Sequence, residues 1–224
     1  MVLLDNWPMP DPGNGNNLCR GNLRLAGQRP ATVRLTVPIH RRPRGQSVNQ
    51  VHINGRDQWA RRHWETVRRN YRSAPGFANA EAALLSIYSH EWQYLCRLNM
   101  TMIRWCQRQL EICSSKIILS SSLGLRPGAQ DNAISIIGEA LCANEYAAGF
   151  VERSRISEAD LDVLHDRGLT VLGFRTEYRP YPQVGPSFIA ELAVIDLILS
   201  LGSRRDIRSV LMGATEALEV GSSR

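Results

Sequence analysis

Residues 178–202, YRPYPQVGPSFIAELAVIDLILSLG, constrain this 224-residue chain more than any other stretch. Pro180, Pro182 and Pro186 fix φ and push the residues before them toward extended backbone, so the first part reads as a stiff, non-helical loop. Ser187 suits an N-cap and Gly202 suits the position just past a helix end. Between them the pattern predicts a helix whose only charged residues are Glu191 and Asp196. A helix apolar on nearly every side must be buried. A carboxylate inside it costs roughly several kcal/mol unless it is partnered or protonated. Asp196 is therefore either a structural tie or part of a site.

A hydrophobic content of 43% is enough for one substantial core. The net charge of +6 comes almost wholly from arginine, Lys116 being the single lysine. The basic runs at 41–44, 61–62, 68–69 and 204–205 are read as solvated faces, because no nucleic-acid motif accompanies them. Nucleic acid is thus disfavoured as a partner, and a small-molecule or carrier-bound substrate is expected. The five cysteines, at 19, 96, 106, 113 and 142, show no CxxC and no spacing with histidine that would hold a metal. That usage fits reduced thiols in a cytoplasmic protein without a metal centre. No signal peptide or membrane span is expected, since the apolar run at 187–202 is shorter than the ~20 residues a span requires.

Along the chain, strands are predicted at 2–4, 23–25, 33–39 and 51–53. Helices follow at 57–72, 80–88 and 92–110, the last two meeting near Ser89 and His90. On the first of these, Ala60, Trp64, Val67 and Tyr71 form one apolar stripe, with Trp59 and His63 on its flank. Strands at 116–119, 146–150 and 169–174 then alternate with helices at 131–140 and 157–167. A weak helix is expected over 206–218. This alternation argues for an α/β fold, a single domain with a mixed or parallel sheet, helices packed around it and a helical middle segment.

These residues together resemble the WbqC-like protein family. The resemblance rests on Leu35-Thr36-Val37-Pro38, and on Trp59, His63, Tyr71, Ala74, Pro75 and Phe77 in a W…H…Y-x-x-A-P-x-F spacing. Asn99, the serines at 120–122, Tyr146 with Gly149, and Tyr181, Gln183, Phe188, Asp196 and Gly202 complete it. It implies one α/β domain over 1–203 with a C-terminal tail at 204–224. It also implies a role in bacterial surface-polysaccharide (O-antigen) or secondary-metabolite biosynthesis, with acyl or aminoacyl transfer to an amino sugar or amine as the reaction. The family opens with a His-Gln-Pro segment upstream of the strand at 2–5. This chain therefore reads as a truncated or divergent member, or as one whose start lies further upstream. The family's Asn-Arg pair appears here as Cys19-Arg20, and the serine of its Y-x-S-G pattern as Ala148. The alternative is a non-catalytic, degenerate accessory protein.

His63 is the candidate catalytic residue. A neutral imidazole can serve as general base, or it can simply bond a carbonyl. Arg20, Tyr146, Tyr181, Gln183 and Asp196 are the candidate substrate contacts. Arg20 is either an anion holder or a surface arginine, and Asp196 a contact or a partner of Arg20 or Arg175. Tyr181 and Gln183 sit on the proline-stiffened loop, where polar groups are held in place for binding. Cys19 is read as a loop or core residue rather than a nucleophile. The serines at 120–122 lack the nucleophile elbow of a hydrolase.

Overall fold

The structure, a computed structural model, describes residues 2–3, 5–8, 20–112, 116–125, 133–149, 158–176, 179–212 and 215–219. The fold is mixed α/β, with its strands divided among three small sheets. Strand β1 (Val2–Leu3) is the first. Strands β2 (Arg20–Arg24) and β3 (Thr32–Thr36) form an antiparallel hairpin, Arg20 opposite Thr36. Helices α1 (Trp59–Tyr71), α2 (Phe77–Ser89) and α3 (Leu95–Leu110) follow. Strand β4 (Ile118–Leu119) runs parallel to β1 and leads into a 3-10 turn at Ser120–Leu123. Helix α4 (Ala133–Ala140), β5 (Glu145–Gly149), α5 (Glu158–Asp166) and β6 (Thr170–Thr176) come next. The chain then forms α6 (Val194–Leu201), α7 (Arg204–Met212) and β7 (Thr215–Glu219). Strand β6 is central in the third sheet, parallel to β5 and antiparallel to β7.

The apolar C-terminal stretch is half helix. Helix α6 begins only at Val194, and Asp196, Leu197, Ile198, Leu199 and Ser200 are all buried within it. Residues 188–193 leave helical geometry because their polar groups bond elsewhere. The Gln183 side chain both donates to the Ile189 carbonyl (2.9 Å) and accepts from its N–H (2.8 Å). Ala193 N–H donates to Asn22 of β2 at 2.8 Å, and Glu191 has a left-handed φ of 60°. Gly202 ends the helix, as its sequence position predicts, with φ 67°.

Three further expectations need correction. The stripe of α1 is rotated by one residue: Trp59, His63, Val67, Asn70 and Tyr71 are its buried residues, while Ala60 and Trp64 are only half-buried. The single helix expected at 206–218 is instead α7, whose Ile207 joins the core, followed by the edge strand β7. The strand expected at 51–53 is reduced to isolated bridges, Ile53 with Ile39 and His52 with Tyr94.

The main core gathers α1, α2, α3, α6 and α7 against the β2–β3 hairpin. Leu164, Leu169 and Val171 form a second, smaller cluster against which Ile134, Tyr146 and Leu161 pack. Asp5, just past β1, joins the ends of the parallel pair. It accepts from Ser121 N–H (2.9 Å), Ser121 Oγ (2.6 Å) and Ser120 Oγ (3.1 Å). Burial pushes the Asp5 carboxyl up, but these bonds, led by the Ser121 hydroxyl, outweigh it and hold the group below its ordinary value.

Candidate functional site

Two arrangements lie along α1 and α6. The first is a cavity of about 140 Å³. Trp59 and His63 of α1, Tyr88 of α2, and Leu98, Asn99 and Met102 of α3 form one side of it. Gly21 and Leu23 of β2, Leu35 of β3 with Val37 just beyond it, and Ala193 with Ile195 at the start of α6 form the other. A dry apolar cavity of ~150 Å³ accepts a benzene-sized group, so this one has room for roughly six non-hydrogen atoms.

His63 meets two aromatic rings edge-on, 5.2 Å from Trp59 and 6.1 Å from Tyr88, and those two rings touch each other at 6.5 Å. Removal from water pushes its pKa down to about 4. A hydrogen bond with the Thr36 backbone opposes that shift and the charge of Arg62 adds to it. His63 is therefore neutral at pH 7. Burial likewise pushes the Tyr88 hydroxyl up to about 12 and the Cys106 thiol up to about 11, so both stay protonated.

The histidine makes stability depend on pH. An unfolded chain protonates it near pH ~6.5, the folded protein only near about 4. Below the higher value the unfolded state binds more protons. The stabilisation is therefore complete above ~6.5 and is lost as pH falls toward about 4. Between pH 7 and pH 5 the loss amounts to about 2 kcal/mol. Urea unfolding at the two pH values should show it, and His63→Gln should remove that part of the difference. An equal difference in the variant would mean that His63 titrates normally.

The second arrangement is a buried polar chain through Arg24, Tyr71, Asp196 and Tyr181. Arg24 and Asp196 are both fully buried. Tyr71 accepts from the Arg24 N–H at 2.9 Å and donates to Asp196 Oδ1. Tyr181 donates to Asp196 Oδ2 at 2.7 Å. Burial first, then Asp196, pushes both phenols far above the ordinary tyrosine value, which keeps them as donors. The Arg24 Nε donates to the Val184 carbonyl at 3.1 Å, tying the proline loop to β2. One residue further on, Gly185 at φ 125° leaves no room for a side chain, because a Cβ there would stand 2.8 Å from an Arg24 terminal nitrogen.

The structure thus separates the sequence candidates. His63 lines the cavity beside Asn99, whereas no residue of the proline loop is among the lining residues. Asp196 and Tyr181 meet in the polar chain. Gln183 spends both ends of its amide on Ile189. Tyr146 packs on the second cluster. Arg20 opens β2; its side chain, like Cys19, lies outside the described residues. Sequence reasoning missed Arg24, which looks like any other arginine. Strand alternation gave no signal for it, because it sets Arg24 on the face opposite the buried Leu23. Among the described residues no group of three or more His, Cys, Asp or Glu side chains is placed to hold a metal, and no helix is long and apolar enough to cross a membrane.

Helices packed on a β-hairpin around a small, solvent-open apolar pocket define the class as a mixed α/β protein with a surface pocket. The model of the WbqC-like protein family matches residues 20–207, spanning the hairpin, the cavity and the polar chain, and the chain belongs to that family. It is also similar to the uncharacterized protein Rv1507c of Mycobacterium tuberculosis, with 30% identity over 172 residues, covering 75% of this chain and 72% of that one. No solved structure matches it.

Proposed function

We propose that the chain acts in bacterial surface-polysaccharide or secondary-metabolite biosynthesis, transferring a short acyl or aminoacyl group to an amino sugar or other amine. The observation that carries this reading is the unprotonated His63 in a cavity with room for a short acyl chain. In such a transfer the amine nitrogen attacks the acyl carbonyl, the bond to the carrier breaks, and His63 takes the proton that the nitrogen loses. Asn99 and Tyr88 are the other lining residues with polar side-chain groups. Arg20, Tyr181, Gln183 and Asp196 remain candidate contacts for the acceptor, and Tyr146 a candidate further away in the chain. Location in the cytoplasm belongs to the same reading.

A second reading, binding without chemistry, has support from the same histidine. A base with a pKa of about 4 is a weak proton acceptor at pH 7, and general bases work best near the operating pH. Aminoacyl and acyl thioesters offered with amino sugars decide between the two. Transfer should be seen, and His63→Gln should lower it at least ~100-fold while the unfolding midpoint at pH 7 holds. Donor binding without turnover in the unaltered protein favours the accessory role, and unchanged turnover in the variant removes His63 from the mechanism.

A further inference from the structure

Apart from the His63 cavity and the polar chain, a larger pocket of about 440 Å³ opens where the parallel strands β1 and β4 end. In α/β proteins the crevice beyond the carboxyl ends of parallel strands is where ligands bind, because the chain turns away there and leaves backbone and loop groups facing a gap. The volume lies within the ~300–1,000 Å³ of small-molecule sites. Its lining mixes apolar groups, Cys96, Met100 and Leu119, with polar groups of both charges. Asp5, Ser121 and Asn49 stand at the strand ends, and Tyr94, Arg97 and Arg104 come from α3 and the residue before it.

Arg97 and Arg104 are seven residues apart, so they share one face of α3 about 10 Å apart along its axis. Both are exposed, and among the described residues neither forms an ion pair. Two guanidinium groups at one pocket, without a carboxylate of their own, suit a phosphate, which accepts paired N–H bonds. The opposite wall wants donors. Asn49 Oδ1 is buried with no hydrogen-bond partner, although its amide nitrogen donates to Asp5 Oδ2 at 3.4 Å. The Asp5 carboxylate beside it already accepts from Ser120, Ser121 and Asn49, which leaves Asn49 Oδ1 as the open acceptor. The Tyr94 ring, braced by His52 at 4.5 Å, gives an aromatic surface between the two walls.

We propose that this pocket binds a phosphorylated sugar, with the phosphate on Arg97 and Arg104 and a ring hydroxyl toward Asn49. The proposal is separate from the acyl-transfer reading, because it needs neither His63 nor turnover.

Titration calorimetry with glucose 1-phosphate, inorganic phosphate and glucose tests it on the full chain. Glucose 1-phosphate should bind at least tenfold more tightly than either of the others. The double variant Arg97→Gln/Arg104→Gln should weaken it at least tenfold with an unchanged thermal midpoint, each single variant less so, and His63→Gln should leave it unaltered. Equal binding of inorganic phosphate or of glucose overturns the assignment to a sugar phosphate. So does full affinity in the double variant. An equal loss in His63→Gln would place the probe in the other cavity and overturn it as well.

Discussion

Replacing Gly76 with alanine is expected to cost about 3–5 kcal/mol, a large part of the ~5–15 kcal/mol that holds a domain folded. The start of α2 is pressed against the end of α6. The Gly76 N–H donates to the Leu199 carbonyl at 2.8 Å, and a Cβ at Gly76 would meet the Ile198 carbonyl, stand 2.8 Å from that of Leu199 and 2.9 Å from the Gly202 Cα. These are backbone atoms in two packed helices, so no side chain can swing aside to relieve the clash. Gly202 faces the same contact from the other side: its Cβ would stand 2.6 Å from Gly76 N, at a φ of 67° that already strains an alanine. Gly45→Ala is the control, since its φ is 75° but nothing lies within 4 Å. Urea midpoints should fall steeply for Gly76→Ala and Gly202→Ala and by only about 1 kcal/mol for Gly45→Ala. A midpoint for Gly76→Ala close to that of the unaltered protein would mean that the two helix ends do not meet as described.

Tyr71→Phe is the second large effect, expected at about 3–4 kcal/mol. One oxygen atom serves two fully buried groups, accepting from Arg24 N–H and donating to Asp196. Its removal leaves a backbone donor unsatisfied and takes one of two phenol donors from a buried carboxylate. Tyr181→Phe removes the bond to Asp196 and the contact with the Gln183 side chain, at a half-buried position, and should cost about 1–2 kcal/mol. Chemical denaturation of the two variants and their double measures this. The double should fall short of the sum or exceed it by at least ~0.5 kcal/mol, because both hydroxyls bond the same carboxylate. Equal small losses in both singles would show that water replaces the Tyr71 hydroxyl and that the chain is not sealed.

The loss of the polar chain bears on the cavity too. Asp196 follows Ile195, which lines the cavity, and Tyr71 lies two turns along α1 from His63. The same two helices therefore carry both the aromatic pocket and the buried carboxylate, one after the other along the buried stripe of α1. The bonds to Asp196 hold α6 in register with α1, and that register sets the distance between Ile195 and the Trp59–His63 pair.

Much of this was legible in the residues alone. The mixed α/β class followed from strands alternating with helices, and α1, α3, β5 and β6 followed from periodicity and turn residues, because those signals are local. The apolar run around Asp196 announced burial, and the spacing of Trp59 and His63, one helical turn apart, announced a shared face. What periodicity could not reveal was the partner of each group. Helix α6 is shorter than its apolar run because Asn22 and Gln183, distant or loop-borne, compete for the backbone of the residues before it. The buried stripe of α1 runs through His63 rather than Trp64 because β2 and β3, not α2 alone, cover that face. Arg24 is buried because Tyr71 and Val184 meet it there, and the arginine pocket exists because β1 and β4, more than a hundred residues apart, lie side by side. Local composition settles which segments become helix or strand and which must be hidden from water. Where a buried polar group finds its partner depends on contacts between distant parts of the chain, and only the folded chain decides those.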